Sequence, residues 1–177
     1  MTELIVLIGL PGSGKSSFAS SLAAKCPGSQ VISTDAIRAQ LFGSEAIQGE
    51  WLLVWHQVQR QMQQAVEQSV GAIYDATNAV RTHRVEAIAL ARTTGFTHIT
   101  GVWVDTPIQV CLEQNRSRSR IVPEEVILRM HSSLVDAPPS LQDGLDCLIR
   151  YSLVRCGNCD RIGEKEPNST RLTALLP

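Results

Sequence analysis

The sequence predicts an α/β fold, a five-stranded and mostly parallel sheet flanked by helices. Three observations predict it. Short apolar runs alternate with helix-period segments along most of the chain, as parallel strands joined by crossover helices require. The first run, residues 4–8, is continuously apolar, as expected for a strand covered on both faces. That run leads straight into a glycine-rich turn and then a helix-forming stretch.

Each element has its own signal. Residues 4–8 form the first strand, and residues 15–25 a helix ended by Pro27-Gly28. Residues 30–33 read as a second strand and 35–42 as a short helix. Residues 49–68 form the best-patterned helix: Trp51, Val54, Val58, Met62, Ala65 and Ser69 recur at three- and four-residue spacing, with Gln and Arg between them. A third strand covers 71–74, a helix 82–94 ends at Gly95, and a fourth strand covers 98–104. Helices over 106–117 and 123–134, a break at Pro138-Pro139 and a fifth strand over 145–151 complete a domain of residues 1–155. From residue 156 to 177 periodicity gives way to Gly, Asn, Pro and Glu, the composition of a C-terminal tail.

The chain has 177 residues, about one domain's worth and enough for one core without disulfides or metals. Hydrophobic residues at 44% and charged residues at 19% argue against wholesale disorder. A net charge of −1 argues against a general polyanion binder, so any nucleic-acid contact rests on a local basic patch. No stretch approaches the roughly 18 apolar residues of a membrane span, and no membrane partner is expected. The N-terminal run carries Glu3 where a signal peptide has a basic flank. A cytoplasmic location follows as the expectation, with the five cysteines reduced.

Residues 9–16, Gly9-Leu10-Pro11-Gly12-Ser13-Gly14-Lys15-Ser16, match G-x-x-x-x-G-K-[ST] at every fixed position. Gly9, Gly12 and Gly14 let backbone N–H groups converge on phosphate oxygens where side chains would clash. Lys15 reaches the β- and γ-phosphates, the Ser16 hydroxyl is a ligand for Mg²⁺, and the helix that follows adds its positive dipole end. Pro11, Ser13 and Ser17 complete the predicted nucleotide-binding set, which takes ATP or GTP. The setting between an apolar strand and a helix makes this a P-loop NTPase fold.

Just past strand two, Ser33-Thr34-Asp35-Ala36-Ile37-Arg38 places a carboxylate where open α/β sheets bind ligands, beyond the strand ends. Asp35 is a candidate general base for an attacking hydroxyl. Arg38, one helical turn later, is a candidate clamp for an anionic acceptor. The plainer reading makes Asp35 a helix cap and Arg38 its surface partner. Asp75-Ala76-Thr77-Asn78 closes strand three, and a strand-end Asp75 can organise Mg²⁺ or its waters. Thr77 and Asn78 are candidates to bond substrate or to orient Asp75, with an Asx turn as the alternative.

Arg116, Arg118 and Arg120 alternate on the connection between two helices, the pattern of an arginine-bearing lid or of a solvated charge run. Arg118 is the choice for the phosphate contact, although spacing does not rank the three. Cys156 and Cys159 have half-zinc-site spacing with no second pair to complete a tetrahedral site. His56 reads as a helix-face residue, and His83 has little functional claim.

Over residues 3 to about 151 the chain resembles the kinase domain of phage-type 5′-hydroxyl polynucleotide kinases and the bacterial kinases grouped with them. The resemblance rests on the phosphate loop, the 35–38 segment, Asp75-Ala76-Thr77-Asn78 followed by Arg84, residues 115–123, and Pro139 with Gly144-Leu145-Asp146. It implies that Lys15 and Ser16 bind ATP phosphates and Mg²⁺, that Asp35 is the base, that Arg38 holds the acceptor's 3′-phosphate and that Arg118 is the lid arginine. The expected activity is phosphoryl transfer to a hydroxyl, with a nucleic-acid 5′ end as acceptor. Its rivals are a small-molecule P-loop kinase and a nucleotide-dependent ATPase switch.

Overall fold

The computed structural model describes residues 2–118, 120–156 and 159–162, with the backbone alone for 153–156 and 159–162. Five parallel strands form one sheet in the order β2-β3-β1-β4-β5. They are β1 (Glu3–Ile8), β2 (Gln30–Ser33), β3 (Ala72–Asp75), β4 (His98–Val104) and β5 (Cys147–Tyr151). The helices are α1 (Lys15–Lys25), α2 (Thr34–Phe42), α3 (Trp51–Glu67), α4 (Arg81–Thr94), α5 (Ile108–Arg116) and α6 (Glu124–Asp136). These bounds differ from the sequence expectation only at element ends.

Strand β1 shows why its apolar run is unbroken. Leu4, Val6 and Ile8 face a core built with Val54, Val58, Met62 and Ala65 of α3 and with Ala87, Ile88 and Ala91 of α4. Ile5 and Leu7 face the other side, against Phe18, Ala19 and Leu22 of α1. Alternate residues of one strand therefore feed two separate cores.

Because all five strands run the same way, their C-terminal ends share one edge. Ile8, Ser33, Asp75 and Val104 all end there, and Ser33 pairs directly with Asp75. Strand β1 lies between β3 and β4, so the chain reverses its winding direction beside the glycine-rich turn, where such sheets open a crevice.

Four features go beyond the sequence expectation. A 3-10 turn (Leu141–Asp143) precedes β5, and strands β6 (Leu153–Cys156) and β7 (Cys159–Ile162) pair antiparallel across the 155/156 boundary. Trp51, first in the apolar stripe of α3, stays 48% exposed while Val54, Val58, Met62 and Ala65 are buried. Ser69, the stripe's last member, lies past the helix with φ 56°. Among the described residues no helix is long and apolar enough to cross a membrane.

Candidate active site

The phosphate loop is held in shape by the fold around it. Gly9 donates its N–H to the Thr77 carbonyl at 2.9 Å, tying the loop to the end of β3. The Thr106 hydroxyl donates to the Ser13 carbonyl at 2.8 Å, and Ser13 and Pro11 are buried. Gly12, at φ 79°, sits so close to α5 that a Cβ there would collide with the Cys111 carbonyl oxygen. Gly14 caps α1 in the left-handed conformation with no side-chain cap, leaving the first-turn N–H groups for another acceptor. A cavity of about 370 Å³ opens over them, lined by Gly12, Gly14, Lys15, Ser16, Ser17, Gln114, Ser117 and Arg118.

Lys15 is buried, and its ammonium donates to the Leu10 carbonyl at 2.7 Å and more weakly to Ser13 Oγ at 3.4 Å. Burial pulls its pKa down from 10.5 to about 8, against the opposing pull of Asp75, Cys111 and Asp35; Arg118 adds to the lowering. Burial likewise raises the Asp75 carboxyl, while Lys15, a hydrogen bond with Ser16 and Arg118 act to lower it. Cys111 is a neutral thiol behind the loop, its pKa raised by burial to about 11.

Ser16 and Asp75 thus present a hydroxyl and a carboxylate side by side, two hard oxygen donors of the kind Mg²⁺ takes. Among the described residues no group of three or more His, Cys, Asp or Glu side chains gathers to hold a metal. A cation here would complete its shell with phosphate oxygens and water, as Mg²⁺ commonly does. The residues fit the ion.

On the other side of the loop, Ser33 caps α2 by accepting the Ala36 N–H at 3.4 Å, which relieves Asp35 of that role. Asp35 is gripped twice. Arg38 Nη1 meets Oδ1 at 2.9 Å, and Arg120 Nη1 meets Oδ2 at 2.6 Å. The carboxylate side chain is 42% exposed, whereas Arg38 and Arg120 are 12% and 16% exposed. The arginines are tucked in and the carboxylate faces outward. Arg38 Nε is buried with no hydrogen-bond partner among the described residues.

The three arginines of the α5–α6 connection have three different fates. Arg116 pairs with Glu124 on the surface at 2.8 Å, Arg118 lines the cavity, and Arg120 reaches Asp35. Spacing singled out none of them, because each partner lies on a different element. Buried Asn115 pins the connection's ends together: its amide donates to the Val122 carbonyl at 2.8 Å and accepts the Val122 N–H at 3.0 Å.

Thr77 and Asn78 brace the site from below. Thr77 contributes its carbonyl to Gly9, and Asn78, at φ 46°, donates its side-chain amide to the Leu7 carbonyl at 2.7 Å. That amide is committed to the loop's foundation. Arg84, quoted above only within a motif, is fully buried and bonds the Asn78 carbonyl at 3.0 Å. His56 and His83 are exposed on helix faces. The Cys156 and Cys159 side chains, and the tail beyond residue 162, lie outside the described residues.

Residues 4–137 match the AAA domain family. No curated protein matches the sequence. Among solved structures, a chain of the Pnkp1/Rnl/Hen1 RNA repair complex superposes with TM-score 0.66 at 17% identity, covering 97% of this chain and 50% of that one. A gluconokinase from Sinorhizobium meliloti 1021 gives 0.56 at 16% identity, covering 87% and 84%. A chain of the PezAT toxin-antitoxin system of Streptococcus pneumoniae gives 0.64 at 15%, covering 86% and 67%. The chain spans half the length of the RNA-repair chain it matches. The likeness is one of fold, the P-loop kinase-like α/β sheet.

Proposed function

This chain belongs to the AAA domain family, and we propose that it is an ATP-dependent phosphotransferase that moves the γ-phosphoryl group to the 5′-hydroxyl of a nucleic-acid end. The observation that carries the reading is Asp35, an outward-facing carboxylate fixed by Arg38 and Arg120 beside a formed phosphate loop. A nucleotide switch has no need of such a group. The resemblance to polynucleotide kinases and the fold likeness to an RNA-repair chain favour a nucleic-acid acceptor.

In this reading the loop N–H groups, Lys15 and Arg118 bind the ATP phosphates and neutralise charge that builds during transfer. Ser16 and Asp75 hold Mg²⁺, which when bound screens the phosphate charge. The acceptor oxygen forms a bond to the γ-phosphorus as the bond to the ADP oxygen breaks, and the hydroxyl proton passes to Asp35. Each carboxylate oxygen of Asp35 is engaged by one arginine and has a second lone pair left for that proton. The Arg38 guanidinium, which has more N–H donors than its bond to Asp35 uses, would hold an acceptor phosphate.

The test is a panel of labelled-ATP reactions with 5′-hydroxyl oligonucleotides, nucleosides, 3′-phosphorylated nucleosides and sugars. Transfer to oligonucleotides is expected. Arg38→Ala should raise the KM of phosphate-bearing acceptors much more than that of ATP or of an unphosphorylated nucleoside. The oligonucleotide KM should rise with salt, shallowly, because each phosphate contact releases counterions and few contacts are available. Transfer to sugars alone would make the chain a small-molecule kinase, and ATP hydrolysis indifferent to every acceptor would make it a switch.

A further inference from the structure

The two arginines on Asp35 come from different elements and constrain it differently. Arg38 lies three residues further along α2, so its 2.9 Å contact with Oδ1 sets the carboxylate relative to its own helix. Arg120 arrives from the connection between α5 and α6 and meets Oδ2 at 2.6 Å. Its side chain is mostly buried, so packing as well as charge fixes its reach to Asp35.

The connection that carries Arg120 is itself anchored beside the phosphate loop. Asn115 exchanges two hydrogen bonds with Val122 across it, and the Arg118 N–H donates to the Asn115 carbonyl at 3.3 Å. Gly12 of the loop lies directly against α5 at Cys111 and Asn115. Two residues before Arg120, Arg118 lines the cavity over the loop. One short segment therefore meets the donor cavity with one arginine and the candidate base with another. Arg116 is the contrast, since its exposed pair with Glu124 ties the segment only to α6.

We propose that Arg120 is the positioning residue of the base. It sets the orientation of the Asp35 carboxylate and holds it in register with the nucleotide cavity, a task separate from the phosphate contact of Arg118. This rests on the phosphotransfer reading above and is indifferent to which hydroxyl is the acceptor. Arg120 moves no proton. The acceptor's proton goes to a free lone pair of Asp35, and the guanidinium stays charged throughout. Without Arg120 the carboxylate remains a base but works from a poorer geometry, and misplacement by about 1 Å costs on the order of 10²-fold in rate.

A double-mutant cycle in kcat tests this, with Arg120→Ala and Arg118→Ala each made alone and together with Asp35→Asn. The acceptor is a 5′-hydroxyl oligonucleotide, or the sugar or nucleoside that the labelled-ATP panel selects instead. Arg120→Ala should lower kcat on the order of 10–10²-fold and move the ATP KM by less than about threefold. In the Asp35→Asn background it should cost less than about twofold more, because the group it positions is gone. Arg118→Ala supplies the contrast, with its full factor in both backgrounds and a raised ATP KM. Arg120→Lys restores a cation and should recover part of the loss only where Asp35 is intact, which general damage to the fold would not do. An Arg120→Ala factor that is equal with and without the Asp35 carboxylate, or a loss that falls on the ATP KM, would make Arg120 a second phosphate-binding arginine. Either result, or a normal kcat in Arg120→Ala, would overturn the proposal while the phosphotransfer reading stood. A wild type that transfers phosphate to no acceptor would remove the reading and the proposal together.

Discussion

Asp143 and Asp35 are each held by two arginines, and the two grips are built differently. Asp143 receives Arg84 Nε and Arg81 Nε, both at 2.8 Å, and the Ser140 N–H at 3.2 Å. Arg84 spends its remaining donors on the carbonyls of Asn78, Ala79 and Ala137, and the Arg84 and Asp143 side chains are both fully buried. Burial acts to raise the Asp143 carboxyl, but the hydrogen bonds from Arg84, Arg81 and Ser140 outweigh it and hold it below its ordinary value. The Asp35 grip lies partly open to solvent, and Arg38 Nε lacks a partner among the described residues. A network whose central pair is fully buried is placed to hold parts together rather than to meet a ligand. Here it joins α4, the chain leaving β3 and the turn before β5. An open network keeps donors and lone pairs in reserve.

Exchanging one atom in the open network should separate chemistry from stability most sharply. Asp35→Asn keeps shape and removes the proton acceptor. We expect kcat to fall on the order of 10²–10⁴-fold, with ATP affinity little changed. Stability should fall by about 1–2 kcal/mol, because Arg38 and Arg120 lose a charge partner but keep an amide oxygen and water to bond. Steady-state kinetics and urea melts on the same preparation check both arms. A normal kcat would return Asp35 to a structural role and locate the base elsewhere.

The closed network should respond in the opposite way. Arg84→Ala leaves the Asp143 carboxylate buried with one of its charge partners gone, which costs about 3–5 kcal/mol of stability. Arg81→Ala should cost far less, because Arg81 is half exposed and water can replace it. The depressed Asp143 pKa favours the folded state above the unfolded carboxylate range, and that contribution is lost as pH falls through the folded value. Acid melts of Arg84→Ala should therefore lack part of the wild type's loss at low pH. Equal costs for the two arginine variants would show that the buried ion pair is not what holds the turn.

The same contrast explains what could be read from sequence. The phosphate loop is contiguous, so its eight residues carry their own geometry, and the alternation of patterns was enough for all five sheet strands. Partners distant in sequence left no such trace. Arg84 looks like any charged helix residue until Asp143 and three carbonyls surround it. Arg120 cannot be told from Arg116 until α5 and α6 deliver one to Asp35 and leave the other with Glu124. Trp51 matched the core stripe by period, but period says nothing about where the covering layer stops. The pairing of β6 with β7 lacks the alternating apolar pattern that marks a half-buried strand.

Lys15 supplies a third kind of buried charge, and the smallest predicted effect. It is buried, though less completely than Arg84, and has a carbonyl and a distant hydroxyl in place of a carboxylate and three carbonyls, and burial lowers its pKa to about 8. Below pH 8 the ammonium is present and its burial costs stability. As pH climbs from about 8 toward the unfolded value of 10.5, the folded chain sheds the proton before the unfolded chain does, so Lys15 makes stability rise across that window. Nucleotide binding should run the other way. Phosphate needs the charged form, so above pH 8 the free protein must take up a proton to bind, and the ATP dissociation constant should rise by up to about tenfold per pH unit. Lys15→Arg, whose guanidinium stays charged, should flatten that profile whatever it does to absolute affinity. Lys15→Met should lack the alkaline gain in stability. Calorimetric ATP titrations and urea melts from pH 7 to 10 measure both. A wild-type affinity that is constant over this range would mean that Asp75 and the Leu10 carbonyl compensate the ammonium fully, making Lys15 a second closed site rather than a charge held ready for an anion.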